Sequence, residues 1–207
     1  MTSGQQRALD TLWPIFGVDS KQPLNFSQLF AQSAPVTLEI GFGNGRSLAS
    51  MALASPDENF LGIEVHRPGA GQLLRQLETQ EINNVRIICD DAIEILRTSI
   101  PALSLNRVLL FFPDPWPKTK HRKRRIVQPD FVRLIASRLQ QGGVFHMATD
   151  WQPYAKHMLS TLSESSDFIN TVDTLYANRP DYRPETKFER RGLQLGHTVK
   201  DLIFRKK

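Results

Sequence analysis

Three glycines at alternating positions follow a short apolar segment in the first quarter of the chain. Residues 36–40 read Val-Thr-Leu-Glu-Ile, and Gly41, Gly43 and Gly45 come directly after them. Glycine lets a backbone turn tightly and approach a ligand closely. Because Glu39 lies inside the apolar segment, its carboxylate is costly to bury unless a positive or donating group meets it. The pattern predicts a ligand-binding loop at the end of a strand.

Two further acids follow the next two apolar segments. Glu64 lies in the segment 60–65, near its end, and Asp91 follows the segment 85–89. Ligands of open α/β sheets bind beyond the carboxyl ends of the strands, where Glu64 could accept ribose hydroxyls and Asp91 an adenine amine. A dinucleotide fits these residues poorly, because three carboxylates would repel its pyrophosphate. The glycine spacing is also GxGxG and not the GxGxxG of dinucleotide-binding folds. The residues therefore favour S-adenosylmethionine, although either acid alone could be an ordinary cap or loop residue.

A stiff, proline-rich segment provides a second candidate site. Residues 112–118 read Phe-Pro-Asp-Pro-Trp-Pro-Lys. Prolines on both sides of Asp114 hold its backbone extended, and Trp116 offers a flat face on which a base can stack. One carboxylate can accept from both the N1–H and the N2 amine of guanine, so this pairing suits a purine. A rigid turn with a capping aspartate is the alternative.

Positive charge is concentrated in two segments. Residues 118–125 contain six lysines or arginines and no acid, and residues 179–207 contain nine basic and four acidic residues, while the whole chain carries +5. The rest of the chain is therefore acidic. This distribution predicts a focused site for a polyanion such as RNA. A solvated charged loop is the alternative, but the first segment directly follows Trp116 and Pro117.

Apolar segments alternate with helical patterns along most of the chain. Strands are predicted at 36–40, 60–65, 85–89, 107–112 and 144–148, and helices at 46–54, 69–80, 92–97, 129–139 and 153–163. Gly142 and Gly143 are expected to end the fourth helix. The alternation predicts a single α/β domain, 1–207, with a mostly parallel sheet and helices on both faces. Late strands near 168–175 and 198–204 predict an antiparallel edge.

The sequence resembles the tRNA (guanine-N7-)-methyltransferase family in several stretches. They are residues 4–6, 12–14, 38–45, 63–66, 112–118 with the basic run, 148–151 and 186–189. They are spread over nearly the whole chain, and 112–118 is the most specific of them. The resemblance implies a class I S-adenosylmethionine-dependent (Rossmann-like) fold and methyl transfer to N7 of a guanine in the variable loop of tRNA, with S-adenosylhomocysteine as the second product.

The resemblance also implies roles for individual residues. Asp114 would be the catalytic residue, and the cofactor would be held by Glu39, Gly41, Gly43, Gly45, Glu64, Asp91 and Asp114. Substrate contacts would come from Lys118, Asp150, Thr186, Lys187, Phe188 and Glu189. RNA contacts would come from Lys120, His121, Arg122, Lys123, Arg124 and Arg125. Segment 1–35 would serve as a substrate or lid segment, and 179–192 as a substrate loop.

Other classes of protein fit the residues less well. Amine methyltransferases of DNA or protein carry Asp-Pro-Pro-Trp-like motifs, whereas here a single proline separates Asp114 from Trp116. A non-catalytic RNA-binding protein on the same scaffold would carry a damaged glycine loop, and an NAD oxidoreductase would need different glycine spacing.

Composition adds several expectations. The five histidines lack metal-ligand spacing, so no metal is expected, and the single cysteine excludes an intrachain disulfide. No apolar run is long enough to span a membrane, and no signal peptide is present, so a cytoplasmic protein is expected. Whether it is a monomer or a homodimer stays open. Family members usually carry a further basic segment before residues 4–6, and a chain without it is expected to lose some RNA affinity.

Overall fold

A seven-stranded sheet forms the centre of the molecule in a computed structural model that describes residues 1–19, 22–186, 189 and 198–207. Its strands are β1 (Val36–Ile40), β2 (Asn59–Ile63), β3 (Val85–Ile88), β4 (Leu105–Phe111), β5 (Leu139–Thr149), β6 (Phe168–Asn170) and β7 (Lys200–Lys206). Their spatial order is β3-β2-β1-β4-β5-β7-β6. Strands β1 to β5 are mutually parallel, and β7 runs antiparallel to both β5 and β6. The predicted parallel sheet with an antiparallel edge is confirmed.

Helices cover both faces of the sheet, as crossover connections between parallel strands require. They are α1 (Ser3–Phe16), α2 (Phe26–Leu29), α3 (Arg46–Ala54), α4 (Arg67–Thr79), α5 (Ala92–Thr98), α6 (Pro129–Arg138) and α7 (Gln152–Ser163), with a 3-10 helix at Thr119–Arg124. All five predicted helices are present, whereas α1, α2 and the 3-10 helix were not predicted. The apolar cluster on one face includes residues of α1, α3 and α4, and the cluster on the other face includes residues of α5, α6 and α7.

The start of β5 differs from the prediction. Helix α6 ends at Arg138, and Leu139 is already extended and pairs with Leu105 of β4, so the expected stop at Gly142 and Gly143 is wrong. Leu139 is fully buried, so its pairing removes apolar surface that a further helical turn would have to place elsewhere. Gly142 lies inside β5 with a φ of +75°, opposite the register shift after Leu105.

The N-terminal segment packs into the core. Helix α1 begins with a capping box between Thr2 and Gln5, and its Ala8, Leu9, Leu12 and Phe16 are buried in the cluster that includes α4. The chain then runs along the exposed edge of the sheet, where Val18 N–H donates to the carbonyl of Ile87 in β3. This contact covers the edge strand.

Candidate active site

Five acids lie at the carboxyl ends of the five parallel strands, one inside its strand and four after theirs. Glu39 lies near the end of β1, Glu64 after β2, Asp91 after β3, Asp114 after β4 and Asp150 after β5. Because the strands are parallel, these residues meet at one edge of the sheet. The structure therefore brings together at this edge the acids that the sequence singled out.

Glu39 is a buried acid with an unpaired oxygen in the part of the chain that the structure describes. Its side chain is 3% exposed, and Oε2 has no hydrogen bond among the residues that the structure describes. Burial raises the pKa of Glu39 to about 8, and repulsion from Glu64 adds to the effect. A buried carboxylate of this kind needs a cation. The ammonium of the methionine part of S-adenosylmethionine has the required charge, so the residues present fit this cofactor.

The glycine loop offers an open surface beside Glu39. Gly41 and Gly43 have φ values of +73° and +58°, and a Cβ placed on either would meet no atom within 4 Å. The main-chain N–H of Gly43 donates to Oε2 of Glu64 across 2.8 Å, and Oε1 of Glu64 accepts from His66 N–H at 2.9 Å. Each carboxylate oxygen can accept a second hydrogen bond, so Glu64 keeps capacity for ribose hydroxyls.

Gly45 has a packing role in addition to its predicted cofactor role. Its φ is +74°, it caps the start of α3, and a Cβ there would lie 2.5 Å from Cβ of Leu73 in α4. Helix α4 lies equally close to the loop at Gly69, where a Cβ would meet the carbonyl oxygen of Gly43 at 2.0 Å. The absence of side chains at these positions lets α4 support the glycine loop.

Asp91 caps α5. Its Oδ1 accepts from the N–H groups of Ile93 and Glu94 at 2.9 and 3.0 Å, and Oδ2 has no hydrogen bond within the described part of the chain. The capping interpretation is therefore correct, and it leaves the second oxygen open for a donor such as an adenine amine.

The loop that carries Asp114 is strained at both ends. Phe112 and Trp116 have φ values of +52° and +42°, a region that costs non-glycine residues about 1–3 kcal/mol each. Asp114 between them is exposed, and within the described ranges its carboxylate makes no hydrogen bond. Phe112 N–H donates to the carbonyl of Ala148 in β5 at 2.8 Å, which fixes the loop to the sheet. The loop thus presents an uncommitted carboxylate at a fixed place.

Most of the basic segment is exposed. Lys118, Lys120, Arg122, Lys123 and Arg124 face solvent, and no described carboxylate lies within ion-pair distance of them. The guanidinium of Arg124 lies 5.0 Å from the ring centre of Trp116, and the ring of His121 meets Trp116 edge-on at 5.8 Å. Part of the Trp116 surface predicted to stack a base is therefore already in contact with the basic segment.

Arg125 differs from its neighbours. It is 3% exposed, its guanidinium lies 4.7 Å from the ring centre of Tyr154, and its Nε donates to the carbonyl of Pro115 at 2.9 Å. The prediction of a surface RNA contact at Arg125 therefore disagrees with its burial. The structure gives this residue a part in holding the Asp114 loop.

The predicted substrate loop lies partly outside the described residues, since Lys187 and Phe188 are not among them. Thr186 Oγ1 accepts from Glu189 N–H at 3.1 Å, and both carboxylate oxygens of Glu189 accept from Arg183 at 2.6 and 2.8 Å. Glu189 is 5% exposed. Asp150 is exposed and precedes Trp151, which is the N-cap of α7, so Asp150 is not that cap.

A buried polar group that the sequence analysis missed lies behind these loops. Arg183, Asp201 of β7 and His146 of β5 form a chain of contacts that includes Glu189. An acid beside the apolar run 202–204, and a histidine between Phe145 and Met147, were the available signals. Among the described residues, no group of three or more His, Cys, Asp or Glu side chains could hold a metal ion, and no helix is long and apolar enough to span a membrane.

Comparison with known proteins identifies the family. A family model described as "Putative methyltransferase" matches residues 33–202. The tRNA (guanine-N(7)-)-methyltransferase of Klebsiella pneumoniae subsp. pneumoniae is 56% identical over 99% of this chain and 86% of its own length. The enzyme of the same name from Alcanivorax borkumensis is 55% identical over 100% of this chain and 87% of its own.

Solved structures share the fold at low sequence identity. The 16S rRNA methyltransferase KamB superposes with a TM-score of 0.67 at 15% identity, over 93% of this chain and 98% of its own. A Streptococcus mutans chain described as "a putative methyltransferase", in complex with SAH, gives 0.55 at 14% identity over 100% and 99%. The fold is that of class I S-adenosylmethionine-dependent methyltransferases. With its full-length relatives at 55–56% identity, this chain belongs to the tRNA (guanine-N7-)-methyltransferase family.

Proposed function

We propose that this chain transfers a methyl group from S-adenosylmethionine to N7 of a guanine in the variable loop of tRNA. One observation carries the proposal. Glu39, a buried carboxylate on β1 that needs a cation, lies at the same sheet edge as Asp114, which follows the adjacent strand β4. Asp114 is exposed and makes no hydrogen bond with the residues that the structure describes. One suits the cofactor's ammonium and the other suits a purine edge. The names of the full-length relatives support the choice of tRNA and of N7.

Each cofactor contact has a candidate residue at this edge. Glu39 would accept from the ammonium, Glu64 from the ribose hydroxyls and Asp91 from the adenine amine. The open backbone at Gly41 and Gly43 lets the ligand approach the loop. S-adenosylmethionine, when bound, supplies an electrophilic methyl group on a sulfonium centre.

The acceptor atom sets what the protein must do. Guanine N7 has a lone pair and no proton, so no general base is needed to create the nucleophile. The protein must align the base and exclude water. Asp114 would accept from N1–H and the N2 amine, and its charge would stabilise the positive charge that the ring gains. Lys118 would hold a phosphate or O6, and Asp150 would bind the base edge or orient Lys118.

RNA binding is assigned to the exposed cations of the basic segment. A cleft of about 420 Å³ adjoins that segment between α5 and α6, and Arg97, Lys123 and Arg124 are among its lining residues. Asp130 also lines the cleft but is paired with Arg133. This excess of positive charge favours the phosphates of a polynucleotide.

The remaining assignments follow from the same proposal. The chain would act as one methyltransferase domain, 1–207, in which 1–35 contributes to the substrate or lid side and 179–192 forms a substrate loop. An enzyme of this kind would work in the cytoplasm, where tRNA is processed.

The test is methyl transfer from labelled S-adenosylmethionine to unmodified bulk tRNA, with the product nucleoside identified. N7-methylguanosine is the expected product. Single-stranded DNA and a basic protein serve as parallel acceptors, because an amine methyltransferase would label one of these instead. Labelling of either one, with none in tRNA, would overturn the proposal.

A further inference from the structure

A buried arginine of the substrate loop joins Glu189 of the same loop to Asp201 of the sheet. The side chain of Arg183 is fully buried, and its Nη1 and Nη2 donate to Oε2 and Oε1 of Glu189 at 2.6 and 2.8 Å. Nη2 also donates to Oδ2 of Asp201 at 2.9 Å, and Nε lies 2.6 Å from Oδ1 as an ion pair without an aligned hydrogen bond. One guanidinium thus joins two carboxylates that are 12 residues apart in the chain. Bidentate pairs of this type fix geometry as well as charge.

The contacts continue into the middle of the sheet. Nε2 of His146 lies 2.7 Å from Oδ1 of Asp201, and Nδ1 lies 2.9 Å from the hydroxyl of Tyr182. Burial lowers the pKa of His146, so the ring is neutral near pH 7. Its one N–H then belongs on Nε2, facing the carboxylate, and Nδ1 accepts from the Tyr182 O–H. Every polar atom of the ring is therefore used inside the network.

The same arginine also lies close to the end of β4, the strand that leads into the Asp114 loop. Its guanidinium carbon lies 5.9 Å from the ring centre of Phe111, the last residue of β4. The Phe111 ring in turn meets His146 edge-on at 5.0 Å. Phe111 directly precedes the strained segment 112–116, so the network includes residues of the substrate loop and contacts the strand that leads into the Asp114 loop.

Glu189 itself is fully engaged in this arrangement. Both of its oxygens are bound by Arg183, and it is 5% exposed. A carboxylate in this state has little surface to offer a base. Its main chain, however, is bound to Thr186, the first residue of the predicted substrate stretch 186–189.

We infer that Arg183 is a positioning residue, which fixes the substrate loop and the end of β4 relative to each other, and that Glu189 acts through Arg183 and does not contact the base. The inference rests on the proposed function. It revises the substrate contact that family resemblance implies for Glu189. Breaking the pair would leave an uncompensated buried charge and release the loop at the same time.

A double-mutant cycle separates the two roles of Glu189. The variants are Arg183→Gln, Glu189→Gln and the double variant, assayed for kcat and KM with tRNA and for the Kd of S-adenosylmethionine. Glu164→Gln is the matched control, because Glu164 is an exposed carboxylate after α7 that accepts a hydrogen bond from Ser160 and lies outside the substrate loop. We expect that control to stay within about twofold of wild type, as exposed side-chain contacts contribute little.

Arg183→Gln and Glu189→Gln should each lower kcat/KM for tRNA by about 10- to 100-fold, while the Kd of S-adenosylmethionine changes less than about threefold. The double variant should be no more than about threefold worse than the poorer single variant. Losses that multiply would mean that Glu189 works independently of Arg183, and the inference would be wrong.

A conservative variant covers the case in which Arg183→Gln does not fold. Arg183→Lys keeps the charge but loses the planar fork. It should fold, bind S-adenosylmethionine and lose about 10-fold in kcat/KM for tRNA. Wild-type kinetics of Arg183→Lys would overturn the inference. If Arg183→Lys loses both its fold and cofactor binding, Arg183 has a purely structural role, and the inference is also wrong. The wild-type chain is assayed in parallel. If the wild-type chain does not methylate tRNA, the proposed function fails, and this result is distinct from a failure of the inference about Arg183.

Discussion

The Nε of Arg125 donates to the carbonyl of Pro115 across 2.9 Å, one residue after Asp114. The guanidinium packs on Tyr154 of α7, a helix that follows Asp150. One member of the basic segment therefore links the loop after β4 to helix α7, whereas Arg122, Lys123 and Arg124 face solvent. The segment divides into residues that contact RNA in our proposal and one that supports the active-site loop.

This division predicts two different kinetic effects. Arg125→Met should lower kcat by about 10-fold or more and leave the salt dependence of tRNA binding unchanged. Arg122→Met should instead reduce the slope of log K against log salt by about 1, with a smaller effect on kcat. Both are measured by filter binding at several salt concentrations together with single-turnover rates. A salt slope that falls equally in both variants would argue that Arg125 contacts phosphate.

Asp114 should be essential for turnover and dispensable for folding. Its exposed carboxylate makes no hydrogen bond with the described residues, so Asp114→Ala removes no internal contact that they provide. We expect a loss of about 10²- to 10³-fold in kcat, which is typical when one group that stabilises developing charge is removed. The melting temperature should stay within about 2 °C of wild type. Asp114→Asn, which keeps the shape but not the charge, should be similarly slow, and a rate near wild type in either variant would contradict the assigned role.

Cofactor binding should release a proton from Glu39. The pKa of this carboxyl is raised to about 8 by burial and by Glu64, so it is mostly protonated at pH 7 when no cation faces it. An ammonium would lower that pKa and expel the proton, so the Kd of S-adenosylmethionine should fall as pH rises from 6 to 7.5. Titration calorimetry in buffers of different ionisation enthalpy measures the released proton. Glu39→Gln should show no such release, and the same release from it would place the proton elsewhere.

Glu39 should also affect stability in a defined pH window. A carboxyl whose folded pKa lies above its unfolded value destabilises the fold as pH rises between the two values. For Glu39 this window runs from 4.5 to about 8. Without cofactor, the melting temperature of Glu39→Gln should therefore fall less than that of wild type between pH 5 and pH 8. Parallel curves for the two proteins would show that the pKa is not raised.

Gly69 should be required for cofactor binding although it is outside the glycine loop. A Cβ at this position would lie 2.0 Å from the main-chain oxygen of Gly43, so Gly69→Ala must displace either α4 or the loop. We expect the Kd of S-adenosylmethionine to rise by about 10-fold or more. Gly4→Ala is the control, because its Cβ would be 3.5 Å from the nearest atom, the flexible end of Arg75. Unchanged binding by Gly69→Ala would mean that the loop adapts without loss.

Local patterns in the sequence predict the sheet and the acids at its edge. Glu39 and Glu64 lie in apolar segments and Asp91 follows a third one. These segments alternate with helical patterns, and such patterns depend on residues close together in the chain. Parallel strands then require their carboxyl ends to meet. The same local signals predicted the loop of Asp114 from its flanking prolines. Helix α1 was not predicted, although its buried Ala8, Leu9, Leu12 and Phe16 stand at helical spacing.

Which charged residues face solvent depends on contacts between distant parts of the chain. Arg124 and Arg125 are adjacent in the chain, yet the first is exposed and the second is buried, because Tyr154 and Pro115 come from other elements and meet only one of them. Glu189 likewise pairs with Arg183, which also pairs with Asp201 of β7, and the sequence around Glu189 does not show these ion pairs. Burial and ion pairing depend on residues brought together by the packing of distant strands and helices, and one sequence does not specify those neighbours.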